Sequence, residues 1–185
     1  MAHPAIVKTD RLILRVPLPE DAADIARHLG QKDVAWNMGR TPLPYAISDA
    51  NAWIESTVSS WIHNTSYSFV ITLTNDRLIG GISLDLLAEN VWEIGYWIGV
   101  PWWGRGYATE AASAIIKWAN LKHGLDAFVA GHFLDNPASA RVLTKLGFEP
   151  VGEIDLPSRA RGHSAPSLRY ICGAHPEQAL HLATH

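Results

Sequence analysis

Gly104, Arg105 and Gly106 stand between two runs of different periodicity. Upstream, Val91 to Val100 is rich in β-branched and aromatic side chains and reads as a strand. Downstream of Tyr107, the apolar residues Ala108, Ala111, Ala112, Ile115, Ile116 and Ala119 recur at helical spacing, with Glu110, Ser113, Lys117 and Asn120 on the other side. A strand, a glycine turn and a helix in that order aim the first, unpaired N–H groups of the helix back into the turn, a place that binds phosphate. The glycines let a ligand approach the main chain, and Arg105 adds positive charge. An ordinary strand-to-helix turn uses the same residues, so the local signal names a chemistry without deciding it. Neither G-x-x-x-x-G-K-S/T nor G-x-G-x-x-G is present, which argues against a nucleotide-hydrolysing loop or a dinucleotide site.

Other chemistries find less support. The nine histidines offer no metal-ligand spacing, and no Ser/His/Asp or Cys/His set is evident. Cys172 is the only cysteine, so an internal disulfide is excluded; its apolar neighbours suggest a quiet buried thiol. The net charge of -3 and the absence of a basic stripe argue against a nucleic-acid partner. No apolar run suits a signal peptide or a membrane span, so the expected compartment is the cytoplasm, without a membrane partner. Five of the eight tryptophans, Trp92, Trp97, Trp102, Trp103 and Trp118, lie in or beside the central stretch, where they suit a core or a groove wall.

The elements that must position the turn follow from pattern. Arg11 to Val16 alternates as a first strand, Glu20 to His28 makes a short helix ended by Gly30, and residues 31 to 47 read as a loop carrying Trp36 and Met38. Ser48 or Asp49 can cap a second helix reaching about Ser60. Ser66 to Leu73 and Arg77 to Leu84 form a hairpin through Thr74-Asn75-Asp76, with Gly80-Gly81 marking a bulge or a close neighbour. Beyond the long helix, which Gly124 terminates, Ala127 to Phe133 is a strand parallel to 91-100. Asn136 as N-cap, Pro137 in the first turn and Gly147 as stop define the next helix. Phe148 to Leu156 and Leu168 to Cys172 are the last strands, separated by a loop holding Arg159, Arg161 and His163, and 174-185 is expected to be a tail. One α/β domain over 8-172 accounts for the chain.

Several linked segments carry a family resemblance: Arg77-Leu78-Ile79-Gly80, Glu93 to Ile98, Trp103 to Ala111, and Asn136 to Phe148. Together they resemble the GNAT superfamily of acyl-CoA-dependent N-acyltransferases, and within it the branch of bacterial ribosomal-protein alanine and serine N-acetyltransferases (RimJ/RimL-like), whose start is similar to Thr9 to Arg15. The resemblance implies an α+β fold: a mixed, mostly antiparallel sheet of six or seven strands with flanking helices, in which 91-100 and 127-133 splay apart around acetyl-CoA. It places the pyrophosphate on Trp103, Gly104, Arg105, Gly106, Tyr107 and Ala108, extending to Thr109. Trp103 stands where the superfamily usually has Gln or Arg, which weakens the side-chain contribution but leaves the main-chain donors. Asn136 and Ser139 match an Asn-x-x-Ser element that supports the cosubstrate and its sulfur; a helix cap and a local backbone bond are the structural alternatives.

Transfer from a thioester to an amine requires a deprotonated amine, a stabilised oxyanion and a proton for the thiolate, with no covalent enzyme intermediate. The strand end Ile98-Gly99-Val100 would border the thioester, a main-chain N–H of Ile98 or Gly99 polarising it. Glu93 is the first candidate for the base and His132 the second; either also suits a purely structural role. Ser139 is the candidate proton donor, and Tyr96 suits packing or an acid role equally. Trp36, Met38, Trp53, Tyr67, Asp85 and Trp92 are candidates for the acceptor pocket. The implied partners are acetyl-CoA and an amine, on a protein N-terminus or a small molecule, with no metal; a homodimer has no signature placing its interface. A non-catalytic acyl-CoA sensor on the same fold is the alternative.

Overall fold

The computed structural model describes residues 5-88 and 90-173, so the expected tail at 174-185 lies outside the described residues. Strands β1 (Ile6–Lys8) and β2 (Leu12–Arg15) lead into helices α1 (Ala22–Leu29), α2 (Lys32–Ala35) and α3 (Ile47–His63). Strands β3 (Ser66–Leu73), β4 (Leu78–Ala88) and β5 (Val91–Ile98) follow, then α4 (Tyr107–His123), β6 (Ala127–Phe133), α5 (Pro137–Lys145), β7 (Glu149–Ser158) and β8 (His163–Gly173). One sheet takes the order β1-β2-β3-β4-β5-β6-β8-β7, antiparallel throughout except for β5 beside β6.

The mixed sheet and flanking helices agree with expectation, with eight strands instead of six or seven. The extra strand, β1, has only three residues, too few for alternation to reveal. The loop expected between the last two strands is also mostly sheet. Ser158 pairs with His163, and the turn between them closes through Gly162 N–H to Ser158 O at 3.0 Å, with Gly162 at φ 74°. Residues 31-47 contain the single turn α2, and Val100 leaves the sheet for a 3-10 turn, Val100–Trp102.

Alternation sends the sheet's side chains into two layers. On one face Leu14, Phe69, Ile71, Leu84, Ile94 and Phe128 pack against α4 and α5; on the other, Val70, Leu78 and Trp97 pack against α1 and the first half of α3. Helix α4 meets the sheet with Ala111, Ala112, Ile115 and Ala119, all fully buried. Three alanines let the helix approach closely, and Ile115 contributes about 1.5–3 kcal/mol through burial. Gly80-Gly81 serves close approach, because a Cβ on Gly81 would lie 2.6 Å from the Trp97 indole nitrogen. Among the described residues no helix is long and apolar enough to cross a membrane.

The parallel pair is the feature that positions the site. Strands β5 and β6 are in register only at Trp92 with Phe128 and Glu93 with Val129. Beyond Glu93 they separate, leaving a wedge between Ile94–Ile98 and Ala130–Phe133.

Candidate active site

The glycine turn lies at the wide end of that wedge. Gly104 (φ 74°) and Gly106 (φ 80°) adopt the left-handed conformation that glycine accepts readily. Around Gly104 an added Cβ would meet nothing within 4 Å, so conformation, not space, requires the glycine. No side chain caps α4, and the first bond back into the turn is Glu110 N–H to Gly106 O at 3.1 Å. The turn therefore offers an uncapped helix start with its positive dipole end facing the wedge.

Two attachments hold this turn. The Trp103 indole donates to Ile98 O at 2.6 Å, tying the loop to the end of β5 while its ring stays 46% exposed. Trp103 thus fastens the loop where Gln or Arg would offer a polar side chain. From the other side, Thr9 Oγ1 donates to Glu110 Oε1 at 2.5 Å, Arg11 Nε to Glu110 Oε2 at 2.6 Å, and Arg11 also reaches Arg105 O at 3.1 Å. Burial pushes the Glu110 carboxyl up, but together the bonds from Thr9 and Arg11 prevail and hold it below the usual range. Glu110 lies on the side of the helix read as polar, yet it anchors the N-terminal segment.

Main-chain parity decides which groups face the wedge. Gly99 N–H donates to Ile79 O at 2.8 Å, and the β4–β5 register is unbroken from Gly80–Ile98 to Leu86–Trp92. In an antiparallel ladder alternate residues bond to the same neighbour. Gly99, Trp97, Gly95 and Glu93 thus turn their main chain to β4, while Tyr96 and Ile98 turn theirs toward the opening. Of the two candidate donors, Gly99 N–H is engaged with β4, and the Ile98 N–H lies on the side of β5 that faces the wedge.

The two faces of the wedge carry different chemistry. On the α4/α5 face, Tyr96 hydroxyl and Ser139 Oγ lie 2.8 Å apart. Asn136 Oδ1 accepts from Ser139 N–H at 3.3 Å, so the cap uses the main chain of Ser139 and leaves its hydroxyl to Tyr96. Burial pushes the Tyr96 phenol up to about 12, against the opposing pull of the Ser139 bond, and keeps it a proton donor. His132 is buried on this face with both ring nitrogens occupied, Nδ1 at 2.8 Å from Phe133 O and Nε2 at 3.3 Å from the Tyr170 hydroxyl. Cys172 packs against the same core, and its thiol is pushed up by burial and then by Glu149, away from the thiolate a nucleophile needs.

On the opposite face Glu93, the last residue of β5 in register with β6, forms an ion pair with the buried Arg169. Arg169 sits opposite Gly131 on β6, and its guanidinium passes 3.5 Å from where a Cβ on Gly131 would lie. The other Glu93 oxygen is 3.4 Å from the exposed Arg40 guanidinium, which also donates to Asp85 at 3.2 Å. Ser83 donates to Asp85 at 3.0 Å. Glu93 and Asp85 are cross-strand partners, so two carboxylates stand side by side with the exposed Arg40 guanidinium reaching both.

The remaining acceptor candidates divide. Trp36 and Met38 belong to the segment beside Arg40 and are held by the β7–β8 turn, through Arg161 Nε to Trp36 O at 3.0 Å and Ser158 Oγ to Met38 O at 3.2 Å. Trp53 packs against the α1 layer. Tyr67 and Trp92 stack at 5.1 Å within a cluster including Trp61 and Trp118, buried on the α4 face, so they build core and do not join the carboxylates. Arg40 and Arg169 entered the site only through tertiary contact, and tertiary contact placed Tyr96, equally suited to packing by sequence, against Ser139. Alternation with Ile94 and Ile98 puts Tyr96 on the α4/α5 face of the sheet.

Residues 11–149 match the model of the acetyltransferase (GNAT) domain. The chain belongs to the GNAT acetyltransferase family. An uncharacterized N-acetyltransferase of Bacillus subtilis, YoaA, is 31% identical to this GNAT chain over 150 residues, covering 80% of it and 84% of the relative. Among solved structures, the microcin self-immunity acetyltransferase MccE in complex with acetyl-CoA and AMP superposes with TM-score 0.79 at 21% identity, covering 89% of this chain and 93% of that one. RimJ of Mycobacterium smegmatis in complex with CoA-disulfide superposes with TM-score 0.80 at 20% identity, covering 97% of this chain and 91% of that one. The uncapped α4 start is a geometry that suits an anion, and beside it the Ile98 N–H lies on the side of β5 that faces the wedge, while Ile98 O is taken by Trp103. Among the described residues no group of three or more His, Cys, Asp or Glu could hold a metal.

Proposed function

We propose that this protein is an acetyl-CoA-dependent N-acetyltransferase that passes the acetyl group directly to a primary amine, on a protein N-terminus or a small molecule, in the manner of the RimJ/RimL-like branch. The observation that carries the reading is the separation of β5 from β6 after two register pairs, next to a glycine turn whose helix start is uncapped. The main chain of 104–109, with Asn136 supporting, holds the diphosphate, and Ile98 N–H stabilises charge building on the thioester oxygen.

The side chains divide the proton work between the faces. The amine enters at Asp85 and Glu93, where Arg40 now lies, and its positive charge replaces the guanidinium. Glu93 takes a proton from the amine directly or through water, while Tyr96, supported by Ser139, supplies one to the departing sulfur. His132 holds Phe133 and Tyr170 in place, because both its nitrogens are already used.

Calorimetry with CoA and acetyl-CoA, followed by a thiol-release assay with an alanyl peptide and with spermidine as probe amines, tests the proposal. Binding with acetyl transfer is expected. Absence of binding at millimolar CoA would sink the reading, and binding without transfer to any amine would favour a sensor.

A further inference from the structure

We infer that Arg161 is a positioning residue for the acceptor side of the site, joining the segment 36–40 to the turn that presents Ser139. This inference rests on the transferase reading above. The Arg161 side chain is 7% exposed, and three of its nitrogens are committed: Nε donates to Trp36 O at 3.0 Å, while the two terminal nitrogens bind both oxygens of Asp135 at 2.9 and 2.8 Å. Its guanidinium carbon also lies 4.1 Å from the Phe133 ring centroid and 4.9 Å from that of Trp36.

These contacts connect groups with different tasks. Asp135 immediately precedes Asn136, whose N–H bonds Phe133 O at 2.8 Å and whose side chain caps the helix bearing Ser139. Trp36 begins the segment that carries Arg40 to Asp85 and Glu93. The hairpin that presents Arg161 holds the same segment again through Arg159 N–H to Gly39 O at 2.9 Å. A planar fork bonded to a carboxylate on one edge and a carbonyl on the other fixes the distance between them, which a lysine with its single ammonium does not. Arg161 therefore fixes where the segment 36–40, which brings Arg40 to Asp85 and Glu93, lies relative to the turn that bears Asn136 and Ser139, on the acceptor side and not at the pyrophosphate turn.

The test compares Arg161→Met, Arg161→Lys and Asp135→Asn with the wild-type full chain. Hydrogen exchange should accelerate at least tenfold in 36–40 and 133–139 together, in all three variants. CoA affinity by calorimetry should stay within threefold, while KM for the alanyl peptide or spermidine rises at least tenfold and kcat falls less. Exchange rising in one segment alone or in neither, or CoA affinity weakening in step with the amine KM, would overturn the inference. Should Arg161→Met fail to fold, Asp135→Asn removes only the charge at the far edge of the same fork. If wild-type protein binds CoA but acetylates neither probe, the transferase reading falls while the paired exchange still decides the clamp.

Discussion

The two faces of the β5–β6 wedge carry polar groups of opposite kinds. Glu93, Asp85, Arg169 and Arg40 on one side are charged and mutually paired, whereas Tyr96 and Ser139 on the other are neutral hydroxyls 2.8 Å apart. A paired buried charge stabilises the fold only while its partner remains, since loss of one member strands the other. A hydroxyl that loses its partner strands no charge, so the penalty there is smaller. On the reading proposed above, the charged face would combine fold maintenance with chemistry, whereas the neutral face contributes less to holding the fold.

Substitutions on each face should separate these roles. Glu93→Gln is expected to have the largest effect: kcat falls about 100-fold if Glu93 is the base, and stability falls by about 3 kcal/mol because Arg169 loses its counter-charge. Steady-state kinetics and urea unfolding measure both; a loss of stability with normal kcat would make Glu93 structural. Tyr96→Phe should also lower kcat about 100-fold, with little change in stability or CoA affinity. A comparable fall in unfolding midpoint would erase the contrast between the faces. Ser139→Ala should slow turnover about tenfold and leave α5 intact, because the Asn136 cap uses the Ser139 N–H that alanine keeps.

Smaller effects sharpen the same contrast. Burial pushes Tyr96 and Tyr45 up to about 12 from an ordinary 10.0. A folded pKa above the unfolded one means that their contribution is complete below pH 10 and is lost as pH rises toward 12. Thermal melts should therefore decline across that window, less steeply in Tyr96→Phe, and Tyr96 should cause no alkaline loss of kcat below pH 10. The smallest stability change is expected for Arg40→Ala, at most about 0.5 kcal/mol for so exposed a pair. Its amine KM should fall as the two carboxylates are released while Arg161 and Arg159 still hold the rest of the segment, and a higher KM would mean that Arg40 belongs to the acceptor site.

Local chemistry made parts of this site legible. Asn136, Pro137 and Gly147 announce α5 because capping, the proline's fixed φ and the left-handed stop are properties of a few adjacent residues. The Gly104-Arg105-Gly106 turn was readable for the same reason, being bounded by two strong periodicities. The fates of Tyr67 and Trp92 were not, because an aromatic side chain serves a groove and a core equally well until its neighbours are known. Likewise Gly99 and Ile98 are adjacent in sequence, and only the β4 register assigns one N–H to the sheet and the other to the opening.

From the residues in order came the alternating sheet, the glycine turn before α4, the helix ends and the linked motifs of a GNAT acetyltransferase, all set by interactions spanning a few positions. Tertiary structure alone set Tyr96 against Ser139, Arg169 against Glu93 and Arg161 between Trp36 and Asp135. Those pairings join residues 26 to 125 positions apart. Their geometry depends on how strands pair and where they part, which no local preference encodes.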